Sequence, residues 1–494
     1  MKEHSANNDQ LAHKGAALAP LREPVFSRIW AASFLSNFGQ LILGVGVAWE
    51  MTRLTSSPSM VALVQTAMML PLMLVALPAG AIADMFDRRK VAMLGLGIAA
   101  FFASVLSLLA GFDLTTPWVL LLFCSLIGTG VALYSPAWQS SISEQVKSKD
   151  IPAAIALNTI SYNVARSFGP AIGGFIVLVA GAQVAFTVNA VGYLPLILAY
   201  FLWERGEVLS RLPPERITRA MVSGIRYAFH SNPIRTVLIR AFSFGLAGAT
   251  ATALAPLIAK ELLGGDASTF GLLLGATGLG AVAGALMINR LREHFGTEKS
   301  VSMLAIVSGL ALVGIGFSRS LPLTCLGLFL TGGAGMVIIA LLNISVQLSA
   351  PRWVMARALS LFSSSLTGGI AIGAWFWGSI ADSWSIDVAI IASGLFMLIM
   401  PVFTLFWRIP EGDNSGAESV HLDSEPEVAL AITLRSGPVA IDVDYKIDPD
   451  NARAYYGAML EVQRVRLRNG GFNWSIARDI GDPALWTERY HFPT

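Results

Sequence analysis

A short charged segment between the second and third apolar stretches has the clearest chemical pattern in the sequence. It contains Gly80, Asp84 and the consecutive cations Arg88, Arg89 and Lys90. A small residue at position 80 lets two helices approach closely, and a carboxylate followed by cations can pair with charges on a neighbouring element and release them. The pattern therefore predicts a gating segment. The alternative is that these cations only set the orientation of a membrane protein.

Arg166 is a lone cation inside a long apolar stretch. It lies about 14 residues into residues 152–180, roughly 21 Å at 1.5 Å per residue. That depth is near the middle of a membrane, where a charge is costly and usually functional. We expect Arg166 to face a central cavity and attract anionic substrate groups, unless helix carbonyls and Asn side chains satisfy it. The other residues predicted to line the substrate path are Asn37, Gln40, Gln65, Asn158 and Asn163.

Proton coupling has one preferred candidate, because no Asp or Glu lies in the middle of an apolar stretch. The nearest candidates are Glu50, at the outer end of the first stretch, and Asp84 in the gating segment, and Glu50 is the predicted proton carrier. The alternative for Glu50 is a carboxylate on the rim of the protein without a role in coupling.

No catalytic constellation appears in the sequence. Its six His are scattered, Ser and His form no triad pattern, and no Gly-x-x-x-x-Gly-Lys-Ser/Thr phosphate loop is present. Cys124 and Cys325 both lie inside apolar segments without a second Cys or His at ligand spacing. We therefore expect no catalytic activity, no ATP-driven pump, no metal and no cofactor.

The composition places the chain in a bilayer. Of its 494 residues, 54% are hydrophobic and only 13% are charged, with a mean hydropathy of +0.62, whereas soluble domains carry about 25% charged residues. Lipid is therefore a predicted partner. Nucleic acid is not, because no Lys/Arg-rich run is interleaved with aromatic residues.

Twelve segments are long and apolar enough to be membrane helices. They lie near residues 27–51, 59–82, 91–112, 117–138, 152–180, 182–202, 236–259, 268–289, 300–318, 321–347, 356–381 and 386–407. The fold class predicted is an all-α membrane protein of twelve transmembrane helices.

Lys and Arg are distributed unequally between the two sets of loops. One set includes Arg88–Lys90 and seven arginines from Arg205 to Arg240, whereas the other holds only Arg53, Lys260 and Arg319. The positive-inside rule places the rich set in the cytoplasm. Residues 1–25 are polar and do not form a signal peptide. We expect a multi-pass protein of the cell (inner) membrane with both termini in the cytoplasm.

The two halves of the chain resemble each other. Residues 142–145 (Ile-Ser-Glu-Gln) match residues 344–347 (Ile-Ser-Val-Gln) at an offset of 202, and Cys124 and Cys325 are 201 apart. Such a common offset predicts two parallel six-helix repeats, an arrangement that places the substrate path between them. The predicted domains are a tail (1–25), a six-helix bundle (26–202), a central loop (203–235), a second bundle (236–408), a linker (409–427) and a C-terminal module (428–494).

Two regions outside the spans have patterns of their own. The run Arg216–His230 in the central loop predicts an amphipathic helix on the membrane surface. In the C-terminal module, the sequence pattern predicts a strand from Val439 and a helix over Asn451–Arg468. It also predicts two further strands, over Phe472–Arg478 and Leu485–Phe492. This βαββ order resembles half of a ferredoxin-like domain, so the module is a candidate for self-association with a second copy.

The fifth predicted span contains Gly169, Pro170, Gly173 and Gly174. A proline kinks a helix and glycines permit close packing, so this motif predicts a hinge or a seal. Helix packing without any influence on transport direction is the alternative.

The segment from Gly80 to Lys90 resembles the signature loop of the major facilitator superfamily. With Leu70-Pro71 and Leu77-Pro78-Ala79-Gly80, it is similar to the branch of drug and siderophore exporters known as transmembrane secretion effectors. The second-half copy, Gly284 to Gly296, departs from the signature because Asn289 occupies the place of the Asp. The motif at Gly169–Gly174 resembles the Gly-Pro-x-x-Gly-Gly pattern of exporters in this superfamily.

This resemblance implies a secondary efflux transporter that exports a siderophore or drug-like small molecule by alternating access, with protons as the coupling ion. Two alternatives stay open from the sequence. One is an importer of the same fold, and the other is a membrane sensor or assembly protein that does not transport.

Overall fold

The computed structural model of the chain describes residues 18–204, 225–350, 355–405, 408–409 and 438–492. The helices of the first part are α1 (Pro24–Leu54), α2 (Pro58–Met85), α3 (Arg88–Gly111), α4 (Pro117–Gln145) and α5 (Ile151–Phe201). The second part contains α6 (residues 225–230), α7 (Asn232–Gly248, continued by the short helical segments Thr250–Ala253, Ala255–Leu257 and Ile258–Leu262), α8 (Ala267–Phe317), α9 (Leu321–Ser349), α10 (Met355–Ser383) and α11 (Ile386–Ile399).

Local sequence explains where several of these helices begin. Proline occupies the first or second position of α1, α2, α4 and α5, where its missing N–H costs nothing. Thr116 caps α4 and Asp266 caps α8, because their side chains accept hydrogen bonds from backbone N–H groups of the first turn. Asp87 does the same for α3.

Among the described residues, ten helices are long and apolar enough to cross a bilayer. Two of them, α5 and α8, are 51 residues long, about 76 Å at 1.5 Å per residue against a hydrocarbon core of about 30 Å. Each is broken once by a glycine with positive φ: Gly181 (81°) in α5 and Gly296 (74°) in α8. Only glycine adopts such φ values readily.

The two breaks can be compared with the boundaries predicted for the apolar segments. The break at Gly181 lies at the predicted turn between the fifth and sixth segments. The break at Gly296 lies between the eighth and ninth predicted segments, and residues 290–295 continue α8 as far as that glycine.

A buried ion pair joins two helices of the second part, and its carboxylate also binds the segment after α11. Arg240 was counted with the loop cations, yet it lies inside α7 and is 1% exposed. Its Nη2 donates to Oε1 of Glu298 at 2.7 Å. The same carboxylate accepts from the Thr404 hydroxyl (2.9 Å) and from the Ile409 backbone N–H (2.7 Å). A buried charge is tolerated when it is paired and hydrogen-bonded in this way, so Glu298 ties the residues after α11 to α7 and α8.

Beyond residue 437 the chain forms a small antiparallel sheet of order β1-β3-β2, with β1 at Val439–Lys446, β2 at Phe472–Arg478 and β3 at Leu485–Phe492. Helix α12 (Ala452–Arg468) connects β1 to β2. These positions agree with the predicted strands and helix to within one residue.

One buried carboxylate organises this C-terminal unit. Glu488 of β3 is fully buried and accepts hydrogen bonds from Arg466 (3.1 Å), Trp474 (2.8 Å) and Tyr445 (3.1 Å). Burial raises the pKa of the Glu488 carboxyl, but the bonds from Arg466, Trp474 and Tyr445 more than offset this and hold the pKa below its usual value. Glu488 therefore links strands β1, β2 and β3 to the helix.

The C-terminal unit also touches α6. The guanidinium of Arg468 lies 5.4 Å from the centre of the Tyr227 ring, a distance at which cation–π attraction operates. Of the amphipathic run predicted over Arg216–His230, residues 225–230 are helical, and the remainder lies outside the described residues.

Candidate functional site

Two adjoining cavities of about 400 and 300 Å³ lie where the first and second parts of the chain meet. Their shared wall contains Gln65 of α2, Tyr162 and Arg166 of α5, Thr252 after α7, and Thr277 of α8. Most of the remaining wall is apolar. We refer to the pair as the central cavity. Concave, mostly apolar sites with a few convergent polar groups are the usual form of small-molecule sites.

Arg166 is the one charged residue among the described residues that line the central cavity. Its guanidinium makes no ion pair with any residue that the structure describes. The cavity wall therefore presents a positive charge surrounded by hydroxyl, amide and apolar groups. An anionic or hydrogen-bond-accepting ligand is complementary to that wall.

The predicted substrate-path residues divide into two groups. Gln40, Gln65 and Arg166 line the cavity. The other three, Asn37, Asn158 and Asn163, are not in its wall. The amide of Asn163 donates to the Thr159 carbonyl of its own helix at 2.9 Å, and Asn158 is buried.

Sequence reasoning missed the hydroxyl groups of the wall. Tyr162, Thr252, Thr277 and Thr331 all contribute to the cavity. Nothing distinguishes them in sequence from other hydroxyl residues in apolar helices. The one available signal is that Tyr162 lies four residues, one helical turn, before Arg166 and so shares its face.

The motif at Gly169–Gly174 packs in two directions. A Cβ on Gly173 would lie 3.1 Å from the Ile42 Cα of α1, and one on Gly174 would lie 2.5 Å from the Ala267 carbonyl oxygen of α8. Pro170, between them, lines the central cavity. Gly169 approaches Leu41 of α1 in the same way as Gly173. The motif therefore forms part of the cavity wall and brings α5 into backbone contact with α8.

The α5–α8 contact continues past the cavity. A Cβ on Gly278 of α8 would lie 2.6 Å from the carbonyl oxygen of Arg166. Small residues on both helices are the usual means by which membrane helices approach this closely. The backbone that carries Arg166 is thus held directly against the second part of the chain.

The predicted gating segment lies at the end of α2 and the start of α3. Nη1 of Arg88 donates to the Glu144 carboxylate and to the Ser140 carbonyl of α4, both at 3.0 Å. Nη2 of Arg89 donates to the Phe201 carbonyl at the end of α5. These partners all belong to the first part of the chain, and Lys90 is exposed.

The structure describes the surroundings of Gly80 in the gating segment, but only the backbone of Asp84. A Cβ on Gly80 would lie 3.9 Å from Oγ of Ser360 in α10, so this glycine faces the second part of the chain. The backbone of Asp84 belongs to α2, but its side chain lies outside the described residues.

Polar contacts also join the two parts at the helix ends opposite Arg88. The hydroxyls of Ser57 and Ser59 donate to the Asp382 carboxylate of α10 at 3.0 and 3.1 Å. The ammonium of Lys260 donates to the Thr52 carbonyl of α1 at 2.5 Å. The sequence analysis did not identify these residues, because isolated Ser, Asp and Lys at helix ends have no distinctive pattern.

Glu50 lies at this same end, outside the central cavity. It is 6% exposed and accepts hydrogen bonds from Nη2 of Arg53 at 2.7 Å and from its Nε at 3.0 Å. Glu50 and Arg53 therefore form an ion pair within one turn at this end of α1.

The sequence pattern of a family described as transmembrane secretion effectors matches residues 15–494 of the chain. The multidrug efflux pump Tap of Mycolicibacterium fortuitum is 24% identical over 400 residues, which cover 78% of this chain and 96% of that protein. The enterobactin exporter EntS of Escherichia coli is 25% identical, with 77% and 91% covered. The staphyloferrin A transporter of Staphylococcus aureus is 23% identical, with 61% and 77% covered.

Solved structures agree at the level of the fold. The nucleoside transporter NupG superposes with a TM-score of 0.63 at 12% identity, covering 78% of this chain and 98% of that one. A bacterial homologue of the iron transporter ferroportin superposes with a TM-score of 0.61 at 13% identity, covering 78% and 98%. Both are transporters by their names.

Proposed function

Because the chain belongs to the transmembrane secretion effector family of the major facilitator superfamily, we propose that it is a secondary transporter that exports a siderophore-like or drug-like small molecule. The observation that carries this proposal is the central cavity with Arg166 as its charged wall residue. The names of the relatives, which include a siderophore exporter and a multidrug efflux pump, support export and the class of substrate.

The transport mechanism we propose is alternating access between two six-helix halves, residues 26–202 and 236–408. If Gly181 and Gly296 each divide a long helix into two spans, the ten long helices become twelve spans. Two helix pairs then dominate the contacts between halves, α2 with α10 and α5 with α8. In span numbers these are 2 with 11 and 5 with 8. A shift of six spans exchanges the two pairs, as parallel repeats require.

The gates of this mechanism lie at opposite ends of the cavity. We assign the inner gate to Gly80, Asp84 and Arg88–Lys90, and the outer gate to the Asp382 and Lys260 contacts. Substrate lies between them at Gln40, Gln65 and Arg166, with Gly169–Gly174 as the hinge. Both termini, the central loop (203–235) and the linker (409–427) are cytoplasmic in this arrangement, and the membrane is the cell (inner) membrane.

Proton coupling at Glu50 completes the proposal. The carboxylate lies three residues before Arg53 and close to the outer Lys260–Thr52 contact. Protonation would release Arg53 and so couple a proton to the outer gate. Glu50→Gln is expected to export at a rate that no longer responds to collapse of the proton gradient. A variant that responds as the parent protein does rules this role out.

Export itself is tested in cells with and without the gene. We expect lower intracellular accumulation of a catecholate siderophore, or of members of a drug panel, when the gene is present and the proton gradient is intact. Collapse of the gradient should remove that difference. Equal accumulation in both strains for every compound would contradict the export proposal.

The C-terminal module (428–494) is proposed to associate with a second copy of itself. Its support is the strand order β1-β3-β2, which leaves β1 as an open edge among the described residues. Exposed Asp442 and Asp444 on β1 oppose such pairing, so cross-linking of Ala440→Cys between chains is the direct test.

A further inference from the structure

A groove of about 540 Å³ lies between the two halves, separate from the central cavity. Met73 of α2 contributes from the first half, and Leu238 and Phe242 of α7 with Leu361 and Gly368 of α10 contribute from the second. The wall is almost entirely apolar. Helix α6 contributes Phe229 to the groove wall, and the side chain of Phe229 is 67% exposed.

The groove opens on the perimeter of the helix bundle. On α10, residues 361, 364, 365 and 368 line it, and the same helical face continues to Ile372 and Trp375 at spacings of four and seven residues. Those two side chains are 39% and 52% exposed, as expected on a surface that meets lipid. The residues of α10 in the central cavity, Leu366 and Ile370, lie on a different face.

The wall of the groove contains few polar side chains, among them Arg235 and Ser364. Arg235 of α7 is exposed and lies seven residues before Phe242, roughly 10 Å along the helix. Its Nη2 donates to the Asn232 side chain at 3.1 Å, and a guanidinium has five N–H donors in all. The buried Oγ of Ser364, in the wall, has no hydrogen-bond partner among the described residues. A cation therefore marks one end of an apolar channel.

We propose that this groove binds one acyl chain of an anionic phospholipid, with the phosphate at Arg235. The orientation proposed above places Arg235 at the cytoplasmic leaflet, whose anionic lipids attract cations near the membrane surface. From there the groove extends toward the middle of the bilayer, a distance suited to a chain within one leaflet of a hydrocarbon core about 30 Å thick. A phospholipid matches both the charged end and the apolar channel.

The position of the groove gives the bound lipid a consequence for the two halves. Met73 on one side belongs to α2, and its Sδ lies 2.9 Å from the position of a Cβ on Gly368 of α10. A chain seated there contacts both halves at once. It therefore stabilises the arrangement in which α2 and α10 lie at this separation, and the halves cannot rearrange here without changing its contacts.

The test uses the full-length protein in vesicles that contain phospholipids with a photoreactive diazirine on one acyl chain. Matched probes carry an anionic phosphatidylglycerol or a zwitterionic phosphatidylcholine head group, and labelled peptides are identified by mass spectrometry. We expect label on Met73, on 238–242 and on 361–368. The anionic probe should label these segments about fivefold more than the zwitterionic probe, the factor for one cation near an anionic surface.

Variants separate the groove from general lipid contact. Ser364→Phe and, independently, Leu361→Trp should fill the groove and reduce its labelling, while labelling at lipid-exposed Phe101 of α3 stays unchanged. Arg235→Gln should remove the preference for the anionic probe. Its matched control is Arg28→Gln, at another exposed helix end, which should keep the preference.

The lipid site would be overturned if groove peptides of the parent protein were labelled no more than Phe101, or if both filled variants were labelled as strongly as the parent protein. A preference for the anionic probe that survives Arg235→Gln would overturn the role of Arg235. Because the readout is labelling, a failure here is distinct from a failure of the export proposal, which transport assays detect.

Discussion

Arg166 holds its position because of the residues around it. Its backbone carbonyl is in contact with Gly278 of α8, and Tyr162 lies one turn earlier on the same face. The guanidinium is thus presented to a cavity lined by Gln40 and Gln65. A charge at this depth is expensive in an apolar surrounding, and the polar wall offsets part of that cost.

Substitution of Arg166 should separate charge from size. Arg166→Gln is expected to reduce export of an anionic substrate by about tenfold or more, because an interaction between charged groups contributes roughly 1.5–3 kcal/mol. Arg166→Lys should retain part of the activity. Initial export rates in cells, normalised to protein level, measure both.

Asn163→Ala is the matched control for Arg166. Its amide bonds to a carbonyl of its own helix, so we expect its loss to leave export close to that of the parent protein. If neither Arg166 variant changes export of any substrate, the proposed attraction of anionic groups is excluded.

The helix pair α5–α8 depends on glycines more than on large apolar side chains. Gly174 and Gly271 are adjacent, since the Cβ of an alanine at position 174 would lie 2.9 Å from the Gly271 Cα. Backbone atoms cannot rotate away as a flexible side chain does. The separation of these two helices is consequently set by the absence of side chains at this point.

Gly174→Ala should therefore destabilise the protein, by about 1–3 kcal/mol as for other overpacked sites. Gly97→Ala is the control with the opposite expected sign. Nothing lies within 4 Å of the Cβ position at Gly97 of α3, and alanine is favoured over glycine in a helix by about 0.5–1 kcal/mol. Thermal unfolding of the purified variants should thus show a lower Tm for the first and an unchanged or higher Tm for the second.

A Tm for Gly174→Ala equal to that of the parent protein would mean that α5 and α8 separate without cost. In that case this contact is no seal. The export rate of the same variant then shows whether the helix separation influences transport.

For the whole molecule, the unequal distribution of Lys and Arg between the loops predicts which loops lie in the cytoplasm. This topology can be tested directly. In the proposed orientation, exposed Ser56 between α1 and α2 lies outside the cell, and exposed Ala440 on β1 lies in the cytoplasm. Single cysteines are introduced at either position after Cys124 and Cys325 have been replaced by Ser.

A membrane-impermeant maleimide should label Ser56→Cys in intact cells and Ala440→Cys only after permeabilisation. Labelling of Ala440→Cys in intact cells would place the C-terminal module outside, and labelling of both variants there would contradict an even number of spans. Labelling of neither variant in intact cells would contradict the assigned outer end of α1.

The sequence alone determined those features that depend only on residues close together in the chain. The length of the apolar segments marked the membrane helices. In the C-terminal unit, alternating apolar residues marked a strand, and glycines marked the end of the helix. The spacing from Gly80 to Lys90 identified the family, which the match over residues 15–494 confirms. Each of these features is local, so a single chain without coordinates contains it.

Contacts between distant segments were decided only by the tertiary structure. Nothing local places Thr252 and Thr277 beside Arg166, pairs Arg240 with Glu298 58 residues later, or brings Asp382 to Ser57. The helix packing also leaves Asn163 outside the cavity wall, where its amide donates to the Thr159 carbonyl of its own helix. Which face of an apolar helix meets lipid, another helix or a cavity depends on how helices pack. In a bilayer the lipid tails are as apolar as the helix faces, so hydrophobicity alone does not distinguish these environments.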